Sequence, residues 1–147
     1  MKISDAVLDF IKDNGWSYDS MSEPNRFEVF VNGHNTTVRL TLNACNEKQY
    51  LLVWGALPNK IPEPNRQAVG EFLHRVNYRL RAGNFEMNYN DGEVLFRMFI
   101  DVEDMNLSRA VLERVIVLPV LMLDRYYIAI MAICFGDDTP EQAFEKN

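Results

Sequence analysis

Residues that carry chemistry are scarce in this sequence. Its 147 residues include two cysteines and two histidines. Cys45 and Cys134 lie far apart and form no C-x-x-C pair, so neither a structural zinc site nor a thioredoxin-like motif is spelled out. The thiols read as free, in a reducing cytoplasm, and nothing local assembles a Cys-His catalytic pair. His34 stands beside a turn and His74 on a helix flank, each without further ligands at metal spacing, so no metal is expected. No GxxxxGK or GxGxxG run occurs, which leaves nucleotides and other cofactors without a motif. Positive charge is short as well: 15 Lys and Arg face 21 Asp and Glu, for a formal charge of -6. Nucleic-acid binders draw on a basic stripe to release counterions, so that class is set aside. A long apolar start is also missing. MKISDAVLDFIKDNG is interrupted by Asp5, Asp9, Lys12 and Asp13, and reads as an amphipathic helix instead of an export signal.

What the chain does have is the composition of a packed domain. Hydrophobic residues make up 48% and aromatics 12%, enough to bury a core without disulfide or metal support. One domain over residues 1–147 is expected, with no repeat, low-complexity tract or flexible linker. Ser4 is a candidate N-cap for a first helix, whose apolar side is Val7, Leu8, Phe10 and Ile11 and whose stop is Gly15. Phe27, Val29 and Val31 then alternate with polar residues, and Asn32-Gly33 predicts a tight turn because both tolerate positive φ. Val38, Leu40 and Leu42 alternate in the next strand, and QYLLVWGAL supplies a third. Behind Pro64, the residues Val69, Phe72, Leu73, Val76 and Leu80 recur at helical spacing until Ala82-Gly83. A second hairpin follows around Asn90-Asp91-Gly92, and Thr139-Pro140-Glu141-Gln142 spells a compact helix start. The order α-β-β-β-α-β-β-α, with a short helix after it, predicts an α+β domain.

The stretch VIVLPVLMLDRYYIAIMAICF, Val115 to Phe135, is long enough to span a bilayer. Asp124 and Arg125 fall at its middle, where each charge costs roughly 2.5 to 3.5 kcal/mol. No second span exists to host them, so no membrane insertion is expected. A soluble helix fits better, although it is apolar on most of its circumference, as in a sandwiched helix or one shared with another chain. Pro119 is expected to kink or divide it, with Arg109 to Leu118 on the sheet and the remainder toward a partner. The candidate homodimer seam comprises Val120, Met122, Tyr126, Tyr127 and Ile130.

Three constellations remain for function. Phe30, Trp54 and Phe99 fall opposite the main strand alternation, so a second sheet face is expected to hold a peptide unless a helix covers it. Arg66, Arg75, Arg79 and Arg81 make the middle helix locally basic. Arg75 reads either as a solvated partner of Glu71 one turn away or, with Arg79, as a site for an acidic peptide or phosphate. Asp101, Glu103 and Asp104 form a carboxylate cluster that suits Mg²⁺ or Ca²⁺, but acids just before a helix are favoured by its dipole anyway.

The run VNYRLRAGNFEMNYNDGEVLFRMFID, then LDRYYIAIMAICFG, then DDTPEQAFE, resembles the YbjN domain family of bacteria. The positions that carry the resemblance are Gly83, Phe85 and Glu86; Asp91, Gly92 and Glu93; Asp124, Arg125 and Tyr126; and Thr139 to Ala143. It covers roughly residues 66–146, while the first sixty match only in element order. The resemblance implies the fold of type III secretion chaperones, a twisted antiparallel sheet flanked by helices and commonly dimeric. It also implies a sensory or stress regulator without established chemistry, so no catalytic residue carries over. A non-enzymatic, homodimeric, chaperone-like or regulatory adaptor with a polypeptide partner is therefore expected. The alternative is a small-ligand sensor or small enzyme using the arginines of the middle helix with Asp101, Glu103 and Asp104.

Overall fold

Alternation of apolar and polar residues from Arg26 to Asp101 produces strands that pair into one antiparallel sheet. The computed structural model describes residues 2–147. In chain order the elements are α1 (Ile3–Asp13), β1 (Tyr18–Ser20), β2 (Arg26–Asn32), β3 (Thr37–Cys45), β4 (Tyr50–Ala56) and a 3-10 turn (Glu63–Asn65). They continue with α2 (Arg66–Arg79), β5 (Asn84–Met87), β6 (Val94–Asp101), α3 (Arg109–Phe135) and α4 (Pro140–Lys146). The sheet runs β1-β2-β3-β4-β6-β5. This is the expected α+β domain with one strand more. β1 is three residues long, exposed throughout, and exists only by pairing with Phe27 to Val29 of β2.

One face of the sheet carries the core. Val29, Leu40, Gly55, Phe96 and Phe85 form a row across five strands, and Phe27, Leu42 and Val53 lie in the next row. α1 adds Val7, Phe10 and Ile11, and α2 adds Val69, Phe72, Leu73 and Val76, four of the five residues that the helical spacing selects; the fifth, Leu80, follows the end of α2 in extended backbone and is half-buried. Tyr126 of α3 meets Phe72 and Phe85 edge-on at ring distances of 6.1 and 5.6 Å. Each fully buried large side chain of this kind contributes about 1.5–3 kcal/mol.

α3 is the spine of that core, and it departs from the expectation. It is a single 27-residue helix that runs through Pro119 without dividing. An internal proline costs about 3 kcal/mol. Eight large side chains that α3 buries, among them Ile116, Leu123 and Ile130, outweigh it at roughly 1.5–3 kcal/mol each. Gly55 makes the approach possible: a Cβ there meets Leu123 Cδ1 at 2.8 Å and Pro119 Cβ at 3.4 Å. By length and composition α3 can also cross a membrane, with a mean hydropathy of 1.8 over its most apolar window. In this fold 44% of that window is buried, and the buried side chains are spread from Leu112 to Ile133 instead of being confined to one half.

Two local signals behave differently from their reading. Ser4 lies inside α1 as a buried residue, with Lys2 at the N-cap. Its backbone N–H donates to Asn46 Oδ1 at 3.1 Å and its hydroxyl accepts from Asn46 Nδ2 at 2.8 Å, which ties α1 to the β3–β4 turn. Asn32-Gly33 does not form a two-residue turn, because Asn32 pairs with Thr37 and leaves a four-residue loop between them. The capping box at Thr139 forms as expected, with Thr139 Oγ1 accepting from Gln142 N and Gln142 Oε1 accepting from Thr139 N.

Candidate functional site

Side chains alternate across the sheet, so the residues between the core rows point away from the helices. α1 and α3 pack on β3, β4 and β6 from the core side, and α2 packs on β5 and, through Phe72, on Tyr126 from that side as well. The other face is left uncovered. Phe30, Trp54 and Phe99 all lie on it, as the alternation predicts, spread over β2, β4 and β6. Phe30 and Phe99 are 61% and 57% exposed, and Trp54 is half-buried.

Trp54 sits between two guanidiniums. Arg26 Cζ lies 5.0 Å from its ring centre and Arg97 Cζ 5.8 Å, a cation–π arrangement worth about 0.5–1 kcal/mol per contact at a partly exposed site. Phe99 packs on Tyr50 at 5.5 Å. The arginines are themselves held. Arg97 donates to Glu86 through Nε at 2.7 Å and Nη2 at 3.3 Å, and Arg39 donates to Glu93 at 2.9 Å. The bond from Arg97 lowers the Glu86 pKa against the opposing effect of burial, and the Asn84 amide adds to it. Arg26 bonds Glu23 through Nη1 and leaves a buried Nε without an acceptor among the described residues.

Sequence motifs explain part of this arrangement. In Gly83-Asn84-Phe85-Glu86, Gly83 has φ +70° and no room for a Cβ against the Phe96 ring, Phe85 enters the core, and Glu86 reaches the open face to grip Arg97. In Asp91-Gly92-Glu93, Asp91 accepts from the Glu93 N–H at 2.9 Å, Gly92 takes φ +81°, and Glu93 grips Arg39. The glutamates of both turns therefore position arginines beside the aromatics.

The Asp124-Arg125-Tyr126 element works on the other side of the sheet. Asp124 Oδ1 accepts from the backbone N–H of Asn35 at 2.7 Å and of Thr36 at 3.0 Å, closing the β2–β3 loop onto α3. Gly33 is needed there, since a Cβ at that position overlaps the Asp124 carboxylate. Burial pushes the Asp124 pKa up, but the backbone donors of Asn35, Thr36 and His34 outweigh it and the net shift is downward. The sequence marks Asp124 as a charge at the middle of an apolar run and as part of the family resemblance, without naming what it bonds. A charged residue inside an apolar run was the available signal.

The other candidates separate. Arg75 bonds Glu71 at 3.2 Å one turn away, the solvated pairing. Arg79 lies 4.3 Å over the Phe144 ring and 3.5 Å from the Tyr126 hydroxyl. Asp101 stands at the far end of β6 opposite Tyr50, beyond Val94 to Arg97 where β5 and α2 lie. Asp101 Oδ1 accepts from Glu103 N in a local turn, and Asp104 takes φ +58°. These acids do not meet the arginines of α2, and no group of three or more metal-ligating side chains exists among the described residues. Cys45 and Cys134 are free and half-buried, and burial raises the Cys134 thiol pKa. The expected dimer residues are also corrected: Val120, Tyr126 and Ile130 are buried in the chain's own core, because they lie on the side of α3 that faces the sheet. Met122 and Tyr127 are half-buried.

A sequence model of the YbjN family, described as "Putative bacterial sensory transduction regulator", matches residues 4–131. The match reaches back through the first sixty residues, where the resemblance had rested on element order, and stops short of Thr139 to Ala143. No curated protein and no solved structure matches the chain.

Proposed function

This chain belongs to the YbjN family, and on that premise we propose that it is a regulator that acts by holding a partner polypeptide, not by catalysis. The partner lies on the uncovered sheet face as an extended segment. Its apolar side chains seat on Phe30, Trp54 and Phe99, and its carbonyl or carboxylate oxygens meet Arg26, Arg39 and Arg97. One observation carries this reading: a sheet face without a helix holds two aromatic rings more than half exposed, beside a tryptophan braced by two guanidiniums. Folding alone does not call for exposed aromatics, whereas polypeptide contacts draw much of their energy from aromatic and arginine side chains.

The test compares capture from native lysate by the wild-type chain and by the Phe30→Ser/Phe99→Ser variant. At least one polypeptide is expected to be retained by the first and reduced about tenfold or more on the second. Equal retention by both removes the sheet face from the reading.

A further inference from the structure

Between the end of α2 and the first half of α3 runs a groove that the core does not fill. Its volume is about 780 Å³, within the roughly 300–1,000 Å³ of small-molecule sites. The floor is Met98, on the covered face of the sheet opposite Val53, with Leu80, Val111 and Leu118 around it and the 58% exposed Leu121 at its edge. Arg79 and Arg81 reach it from the end of α2 and the turn that follows, and Arg114 from α3, all three exposed. Glu113 is the single acid that lines it. None of these arginines pairs with a carboxylate among the described residues, although the chain's acids outnumber its Lys and Arg by 21 to 15. Arg79 is nonetheless oriented, lying 4.3 Å over the Phe144 ring with the Tyr126 hydroxyl 3.5 Å away.

Charge and lining together define the occupant. Arginines without a carboxylate call for an anion, and an aliphatic floor calls for a hydrocarbon chain. A polypeptide suits the groove poorly, since each of its residues brings a peptide N–H and C=O that need partners. α3 supplies most of the wall, and its backbone groups are spent on its own helix. An acyl chain brings no such groups. From Arg114 to Leu121, on one side of α3, the helix rises roughly 10 Å at about 1.5 Å per residue, the reach of a medium-length chain. We infer that the groove binds a free fatty-acid anion, its carboxylate on Arg81 and Arg114 with Arg79 beside them, and its chain over Met98 and Leu118 toward Leu121. Planar guanidiniums suit that head group because their N–H donors match a carboxylate in pairs. The site lies across the sheet from Phe30, Trp54 and Phe99, and it uses neither Arg75 nor the acids Asp101, Glu103 and Asp104.

Isothermal titration calorimetry of the full chain with decanoate, decanol and acetate tests it, with far-UV circular dichroism as the check on folding of each variant. Decanoate is expected to bind, decanol to bind about tenfold more weakly for want of the charge, and acetate to give no signal. Arg81→Gln/Arg114→Gln alters exposed side chains and is expected to weaken decanoate about tenfold while leaving decanol unchanged. Leu121→Asp is expected to weaken both. A chain that does not bind decanoate overturns the inference, as does equal binding of decanoate and decanol or an undiminished affinity in the arginine variant. Decanoate binding that Phe30→Ser/Phe99→Ser abolishes overturns it too, because the chain then lies on the uncovered face. If decanoate does not bind and Leu121→Asp turns a dimer into a monomer by light scattering, the groove belongs to a second copy instead. Polypeptide capture on the uncovered face stands or falls independently of these results.

Discussion

On the covered face of the sheet, the row Val29, Leu40, Gly55, Phe96 and Phe85 is apolar from one side to the other. One residue along, on the uncovered face, the row Phe30, Arg39, Ala56, Leu95 and Glu86 mixes an exposed ring, an ion-paired arginine and a glutamate. The same strands present both rows, so backbone pairing is common to them and the difference lies in what each face must satisfy. The covered face has to fill volume without leaving charge unpaired, which restricts it to aliphatic and aromatic side chains and one glycine where α3 comes close. The uncovered face is under no such demand. Trp54 is held by two guanidiniums and Phe99 touches Tyr50, yet Phe30 and Phe99 stay more than half exposed, and that makes the face the place to look for function.

Substitutions sharpen the contrast. Phe96→Ala on the covered face removes a fully buried ring that meets Phe85 at 4.9 Å. It is expected to cost about 3–5 kcal/mol in a urea titration. A loss below about 1 kcal/mol breaks the claim that this face is the core. Asp124→Ala, which frees the β2–β3 loop from α3, is expected to cost about 1–3 kcal/mol through the loss of charge-assisted bonds to backbone N–H groups. That effect depends on pH. The folded-state pKa of Asp124 is depressed, so its contribution is fully present above the unfolded value, near 3.9. It disappears as pH falls through the folded value. Wild type should therefore lose more stability than the variant on acidification below about pH 5, and parallel profiles would contradict the assignment. Phe30→Ser and Phe99→Ser, on the uncovered face, are each expected to stay within about 0.5 kcal/mol of wild type. A large loss from either makes that face structural after all.

Much of the fold could be read in advance because most of its signals are local. Alternation set out β2 to β6, helical spacing selected the buried side of α2, and Thr139 to Gln142 announced its capping box. The same alternation placed Phe30, Trp54 and Phe99 on one face, but whether a helix covered that face depended on contacts between distant elements. Other features gave no local sign. β1 is three exposed residues that owe their structure to β2. Asp124 bonds residues 88 and 89 positions away. α3 is apolar nearly all round, so its sequence carries no phase to show which side faces the sheet, and the interface residues assigned from it fell partly on the buried side. Pro119 predicted a division because the cost of a lost helix bond is visible in sequence, whereas the packing at Gly55 that offsets it is not.

The chain has two tryptophans, and the fold separates their surroundings. Trp16 packs edge-on to Phe10 at 5.7 Å, against the helical layer. Trp54 lies on the opposite side of the sheet between two guanidiniums. The molecule thus contains two optical probes with different duties. The emission of a Trp54→Phe variant follows the integrity of the interior through Trp16. The emission of a Trp16→Phe variant responds to whatever displaces Arg26 or Arg97 from the indole. Occupancy of the outer face and unfolding of the inner one can then be recorded as separate spectral events in the same protein.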